Sequence, residues 1–210
     1  MLNRLSSQRI KLLACFFLLG ITVASCINPI YPNEQFLQHA GTLAVSSILL
    51  VDLKRDRLSL GAFLAVATFI LIHVVGARWI YSMVPYQDWF EAILPGGMSD
   101  FLSSDRNHYD RFVHLSFGVL FFPFLFEVVH RRAKQWVFSV VLAWASIQAF
   151  SAFYEIFEWG LTVLVSPESA DRYNGQQGDI WDAQKDMALA MLGSTLIGAF
   201  YGLRKKRLPR

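Results

Sequence analysis

Six apolar runs of roughly membrane-crossing length, joined by short polar connections, dominate this chain of 210 residues. A helix needs about 20 mostly apolar residues to cross a hydrocarbon core about 30 Å thick. The runs Leu12–Ile30, Phe36–Val51, Leu60–Ser82, Phe112–Val129, Trp136–Phe157 and Met187–Leu203 approach or meet that length. Inside lipid each backbone N–H and C=O must be paired within the protein, so each run reads as a helix. The expected fold class is all-α: a polytopic membrane protein, a bundle of six transmembrane helices, with 1–210 as a single transmembrane domain. The second and sixth runs have short apolar cores and are expected to recruit flanking polar residues.

Charge sets the expected orientation. Most of the 19 Lys and Arg residues fall in four stretches. These are Arg4, Arg9 and Lys11 near the N-terminus, then Lys54–Arg57, Arg131–Lys134 and the Arg204–Arg210 tail. They mark alternate ends of the six runs, which by the positive-inside rule predicts both termini in the cytoplasm. Most of the Asp and Glu residues lie outside or toward the opposite, outer ends. Membrane lipids are the expected partners. Nucleic acid is not, because the positive charge is divided among short loops.

Cys15 and Cys26 both lie in the first run, about 16 Å apart along a helix, and are not expected to bridge. Val23-Ala24-Ser25-Cys26 has the outline of a lipoprotein cleavage box. An uncleaved first helix satisfies the charge pattern equally. The longest connection, from Met83 to Tyr109, carries Pro85, Pro95 and Gly96-Gly97 as breakers. It also predicts a short surface helix over Gln87–Leu94 anchored by Trp89 and Phe90. The second connection, Ser166–Gly178, holds a turn signal at Tyr173-Asn174-Gly175. The two loops are placed to roof whatever the helix ends assemble.

The polar residues near those ends are the candidates for function, since ionisable groups at membrane depth are costly and mark sites by default. His73 falls about 20 Å along the third helix, Gln148 about 18 Å and Glu155 about 28 Å along the fifth. Asp110 and His114 are one turn apart and share a face. Gln148, Glu155 and Glu158 form one stripe, and Asp179, Asp182 and Asp186 another. Imidazole and carboxylates together supply general acids and bases, or bind a divalent metal. The candidate catalytic residues are Asp110, His114, Glu155, Glu158 and Asp186, with Asp110 orienting His114. The candidate substrate-binding residues are His73, Arg78 and Gln148, with Arg78 serving either a lipid headgroup or the cluster as counter-ion. The candidate metal ligands are His114, Glu155, Glu158, Asp182 and Asp186. The oxygen-rich set suits Mg²⁺, Mn²⁺ or Ca²⁺, and the imidazole brings in Zn²⁺ or Fe.

Several polar residues have a plainer reading. His39 and His130 fit satisfied helix-interface residues, and Glu127 with Arg131 a cytoplasmic ion pair. Asp179 and Asp182 fit caps of the sixth helix. Gly118, Gly193, Gly198 and Gly202 are expected to face neighbouring helices, where small residues permit close approach.

Four motifs resemble the YjdF family of bacterial inner-membrane proteins. They are His73-x2-Gly76-Ala77-Arg78-x2-Tyr81-x3-Pro85, Tyr109-Asp110-Arg111-x2-His114-x2-Phe117-Gly118, Glu155-x2-Glu158-Trp159, and Gly178-Asp179-x-Trp181-Asp182-x-Gln184-x-Asp186-Met187. The resemblance implies a multi-pass inner-membrane protein and carries no established activity. A fainter similarity to VanZ-type membrane proteins rests on Asp110/His114 and Asp186/Gly193. It departs at Ala190, where that pattern has Asn, and points to the cell envelope by analogy only.

Three functions compete. The first is an enzyme acting on a lipid or lipid-linked headgroup at the periplasmic side. The second is a non-enzymatic scaffold or binding protein, and the third a proton-coupled transporter. Transport is the weakest, because the chain shows no inverted repeat and no paired broken helices.

Overall fold

The computed structural model describes residues 2–94 and 106–205. Its helices are α1 (Leu2–Ser25), α2 (Pro32–Arg55), α3 (Leu60–Arg78), α4 (Tyr86–Ile93), α5 (Tyr109–Ala133), α6 (Trp136–Leu164), α7 (Pro167–Asn174) and α8 (Asp182–Lys205). Six of them, α1, α2, α3, α5, α6 and α8, are long and apolar enough to cross a membrane. The expected all-α transmembrane bundle is the observed class.

The boundaries differ from the hydropathy runs for local reasons. α2 extends its apolar run at both ends, opening on Pro32 with Glu34 in its first turn and closing where Asp56 adopts φ 44°. Proline at the first turn forfeits only an orphan N–H, and the acid suits the positive end of the helix dipole. The Ser59 side chain accepts the Ala62 N–H at 3.1 Å to start α3, and Glu127 of α5 in turn accepts the Ser59 N–H at 2.8 Å. So Glu127 helps fix the start of α3 as well as pairing with Arg131 at 3.7 Å. α3 stops at Arg78, short of Ser82, because Ile80 and Tyr81 take φ 44° and 58°. This left-handed pair includes a β-branched residue, and only surrounding contacts hold such a backbone in place. In the first span the helix ends at Ser25, and Cys15 and Cys26 are free thiols.

α3 and α5 are the central pair. α1 and α2 pack on α3, while α6 and α8 pack on α5 and on each other. Buried Phe63, Val66 and Ile70 of α3 meet Phe122 of α5 and Ala143 and Ile147 of α6 in one core. Outward faces stay apolar and exposed, as at Leu13, Phe36, Leu43 and Phe153, which suits lipid.

Three of the four expected interface glycines lie at helix contacts. A Cβ on Gly118 would stand 2.2 Å from the Ala190 carbonyl oxygen, and one on Gly193 2.5 Å from that of Leu115. α5 and α8 therefore touch backbone to backbone. Gly198 abuts Phe122, whereas Gly202 meets nothing within 4 Å and is not an interface residue. Along α8, Gly193 and Gly198 are buried and Gly202 is exposed.

Lys11 corrects the reading of the N-terminal basic stretch. Its side chain is buried in the bundle, and its ammonium donates to Asp52 Oδ2 at 2.8 Å, Asp56 Oδ1 at 3.1 Å and the Leu58 carbonyl at 2.8 Å. Asp52 Oδ1 accepts the Arg57 and Leu58 N–H groups, each at 2.8 Å. This network ties α1 to the α2–α3 connection.

At the acidic end, the expected surface helix is present as α4, and its apolar face is exposed at Trp89, Phe90 and Ile93. Pro95 and Gly96-Gly97 lie outside the described residues. The second connection is more ordered than a polar loop, since α7 occupies most of it and Gly175, at φ 63°, follows its end.

Candidate functional site

α5 carries Asp110 and His114, α6 carries Glu155 and Glu158, and α8 carries Asp186; all five side chains are buried. His114 Nε2 stands 3.5 Å from Glu155 Oε1 and 3.7 Å from Asp110 Oδ1. Asp110, His114 and Asp186 each offer a donor atom, and the three lie within 4.8 Å of one another. Glu155 Oε1 and Asp186 Oδ1 have no hydrogen-bond partner among the described residues. Glu158 lies next to these, facing Tyr154, Asp110 and Glu155. The cluster forms where it does because His114 is one turn above Gly118 and Asp186 one turn above Ala190. The close crossing of α5 and α8 brings the two side chains together.

Two arginines stand at the margin. Arg106 pairs with Asp182, and Arg111 pairs with Asp179 and lies 3.7 Å from Asp182. Asp179 precedes α8 and does not continue its stripe. It accepts the Trp181 N–H at 3.1 Å, and Lys185 reaches it at 2.6 Å. Lys185 first, then the Trp181 N–H, hold its carboxyl down at about 2. Asp182 is thus neutralised by arginine, while Asp110 and Glu155 have His114 as their nearest cationic partner. Buried charge left without a partner costs several kcal/mol.

A second polar group lies across from the cluster. The left-handed turn at Ile80–Tyr81 folds Tyr81 back under α3, where its hydroxyl meets His73 Nδ1. His73 Nε2 meets the Gln38 carbonyl at 3.1 Å. A carbonyl only accepts, so in the neutral ring Nε2 carries the hydrogen and Nδ1 accepts from the phenol. Burial pushes the Tyr81 phenol well above its usual value and keeps it a donor. Gly76 makes room for this turn, since a Cβ there would stand 2.9 Å from the Tyr81 ring. His39 is satisfied by Ser25, Gln35 and Thr42 at 3.1–3.3 Å, and His130 by Ser139 at 3.1 Å, in line with the plainer reading.

Between these groups lies a cavity of about 590 Å³, within the range of about 300–1,000 Å³ usual for ligand sites. His73, Tyr81, Asp110, His114, Ser151 and Tyr154 line its polar end. Below them its walls are apolar: Val45 and Ile48 of α2, Phe69 of α3, Phe121 and Leu125 of α5, and Phe150 of α6. From Asp110 to Leu125 it follows α5 for about 22 Å. α2 and α6 both line it without packing along each other, and Ala44, Phe150 and Phe153 are exposed at that gap. The cavity thus opens sideways, at the depth of the apolar faces.

Loops cover the polar end. Asn107 and Gln177 exchange two hydrogen bonds at 2.8 and 3.0 Å, Asn107 also holds the Val84 carbonyl at 2.8 Å, and Arg106 binds the Gln176 carbonyl. Arg172 of α7 pairs with Glu34 of α2 at 2.8 Å.

The remaining expected residues fall elsewhere. Gln148 donates to Ser194 at 2.9 Å and joins α6 to α8. Arg78 donates to the Asn28 carbonyl at 2.9 Å and stacks on Trp79, away from the cluster. The counter-ions near the acids are Arg106 and Arg111, which sequence reasoning left without a role. Arg111 lies one residue past Asp110, and that adjacency was the available signal. Tyr81, Ser151 and Tyr154 were missed as cavity residues, because nothing in the sequence announces the turn that brings Tyr81 back.

Fold and site together define a multi-pass helical membrane protein with a buried acid–imidazole cluster at one end of the bundle. The chain belongs to the family of predicted membrane proteins DUF2238, which it matches over residues 10–207. It is similar to Inner membrane protein YjdF of Escherichia coli (strain K12), with 31% identity over 156 residues, covering 72% of this chain and 69% of that one. No solved structure matches it.

Proposed function

We propose that this protein takes a membrane lipid or lipid-linked molecule from the outer leaflet, seats its headgroup against Asp110, His114, Glu155 and Asp186, and acts chemically on that headgroup. One observation carries the reading: Asp110 and His114 line the polar end of an apolar cavity that opens sideways, with Glu155 and Asp186 beside them. Such a cavity suits an acyl chain, the apolar material a bilayer supplies. Its length of about 22 Å along α5 exceeds one leaflet of about 15 Å, half the core thickness. Imidazole beside carboxylates supplies an acid and a base within reach of a bound ester or phosphate. A purely structural cluster would pair its groups, and the orphan oxygens of Glu155 and Asp186 speak against that. A proton path needs polar residues onward, and the core beyond the cluster is Ile70, Val66 and Phe122.

Protein extracted in mild detergent is expected to retain a lipid enriched over the bulk membrane, read by mass spectrometry. Val45→Trp, which fills the cavity, is expected to lose that enrichment. An identical lipid profile for both proteins, matching bulk membrane, would reject the reading.

The outer-leaflet placement draws on the Lys/Arg distribution. Reporter fusions after Arg57 and Lys134 should be active as cytoplasmic reporters, and those at Asn174–Gly175 as external ones. The reverse pattern would move the site to the inner leaflet.

A further inference from the structure

We infer that Asp110, His114 and Asp186, with Glu155 beside them, form a divalent-metal site, and that zinc is the ion it suits best. Donor atoms around a tetrahedral zinc with bonds of about 2.0–2.1 Å stand about 3.4 Å apart. His114 Nε2 lies 3.5 Å from Glu155 Oε1 and 3.7 Å from Asp110 Oδ1. These separations are long for hydrogen bonds and close to the edges of a coordination tetrahedron. The donors offered by Asp110, His114 and Asp186 all lie within 4.8 Å, so side-chain rotations of a modest size bring them onto one ion.

A second observation points the same way. Asp186 is 2% exposed and Glu155 8%, and each has an oxygen with no hydrogen-bond partner among the described residues. Three acids gather around one imidazole, with Arg106 and Arg111 committed to Asp182 and Asp179. A dication resolves both the repulsion and the missing partners. One imidazole with carboxylates is a mixed donor set that zinc accepts, and three protein ligands leave a coordination position open. Lys11 with Asp52 and Asp56, another buried ionic group, is fully paired and offers no such vacancy. The inference rests on the lipid-site reading for its role, which is to polarise a headgroup oxygen. Its test does not.

Tag-free, full-length protein purified in detergent from cells grown with zinc, iron and manganese is expected to carry about one zinc per chain by elemental mass spectrometry. His114→Ala and Asp186→Asn are expected to drop to background while eluting as wild type. Should either variant fail to fold, wild type stripped by a chelator and titrated with Co²⁺ decides the matter. A visible absorption band saturating at one equivalent, and erased by Zn²⁺, is expected. Wild type that holds no metal and gives no cobalt band overturns the site, as does metal retained by both folded variants. Metal-free protein that still enriches lipid rejects the metal alone; metal-loaded protein with a bulk lipid profile rejects the lipid reading alone.

Discussion

Gly118→Ala is expected to separate α5 from α8 and to cost far more stability than a methyl group added at Gly198 or Gly202. The added Cβ would lie 2.2 Å from the Ala190 carbonyl oxygen and 2.8 Å from the Ser194 nitrogen. Both are backbone atoms, so no rotamer change relieves the contact. Overpacking in a core costs about 1–3 kcal/mol, and here a whole helix must move. His114 and Asp186 sit one turn above this crossing, so whatever protein still folds should lose the cluster geometry as well. Gly193→Ala, aimed 2.5 Å from the Leu115 carbonyl, should behave alike. Gly202→Ala meets nothing within 4 Å and should be neutral or better, since Ala exceeds Gly in helix propensity by about 1 kcal/mol. Melting in detergent, followed by tryptophan fluorescence, separates the cases. A Gly118→Ala protein melting with wild type would mean the crossing is looser than described, and would remove the reason the site residues meet.

The second large effect is expected at the opposite end. Lys11→Met should destabilise the protein by about 3–5 kcal/mol, the usual cost of removing one partner of a buried ion pair. Asp52 would keep its bonds to the Arg57 and Leu58 N–H groups, yet its other oxygen would be stranded. Adding Asp52→Asn retains those two bonds through the amide oxygen and removes the charge, so the double variant should recover much of the loss. A double-mutant cycle in a denaturant titration measures the coupling. A Lys11→Met protein within about 0.5 kcal/mol of wild type, the range of ordinary surface changes, would show that water reaches the pair. Lipid enrichment and metal content should be unaffected, because this network is at the far end of the bundle from His114.

Much of the architecture was legible without coordinates because membranes impose local rules. Hydropathy over about 20 residues marks each span, and every span so marked is a helix here. Stripes at helical spacing singled out Asp110, His114, Glu155, Glu158 and Asp186, which the fold buries near one another. Glycine marked close contacts at Gly118, Gly193 and Gly198 but misled at Gly202, because spacing does not say how far along a helix its neighbour remains in contact.

What hydropathy, charge and helical period determined by themselves was therefore the elements and which residues share a face, properties set within a few turns of chain. Which faces meet was decided by tertiary structure. Lys11 reads in the sequence as one charge of the N-terminal basic stretch and is a buried staple only because Asp52, Asp56 and Leu58 fold around it. Arg78 sits in a conspicuous motif, yet the end of α3 turns it toward Asn28, while Arg106 and Arg111 reach the acids. Tyr81 enters the cavity through a left-handed turn with no local signature, held by contacts with His73 and the space at Gly76. Such pairings depend on residues far apart in the chain and on backbone states that isolated segments would not adopt, so they exist only once the helices have packed.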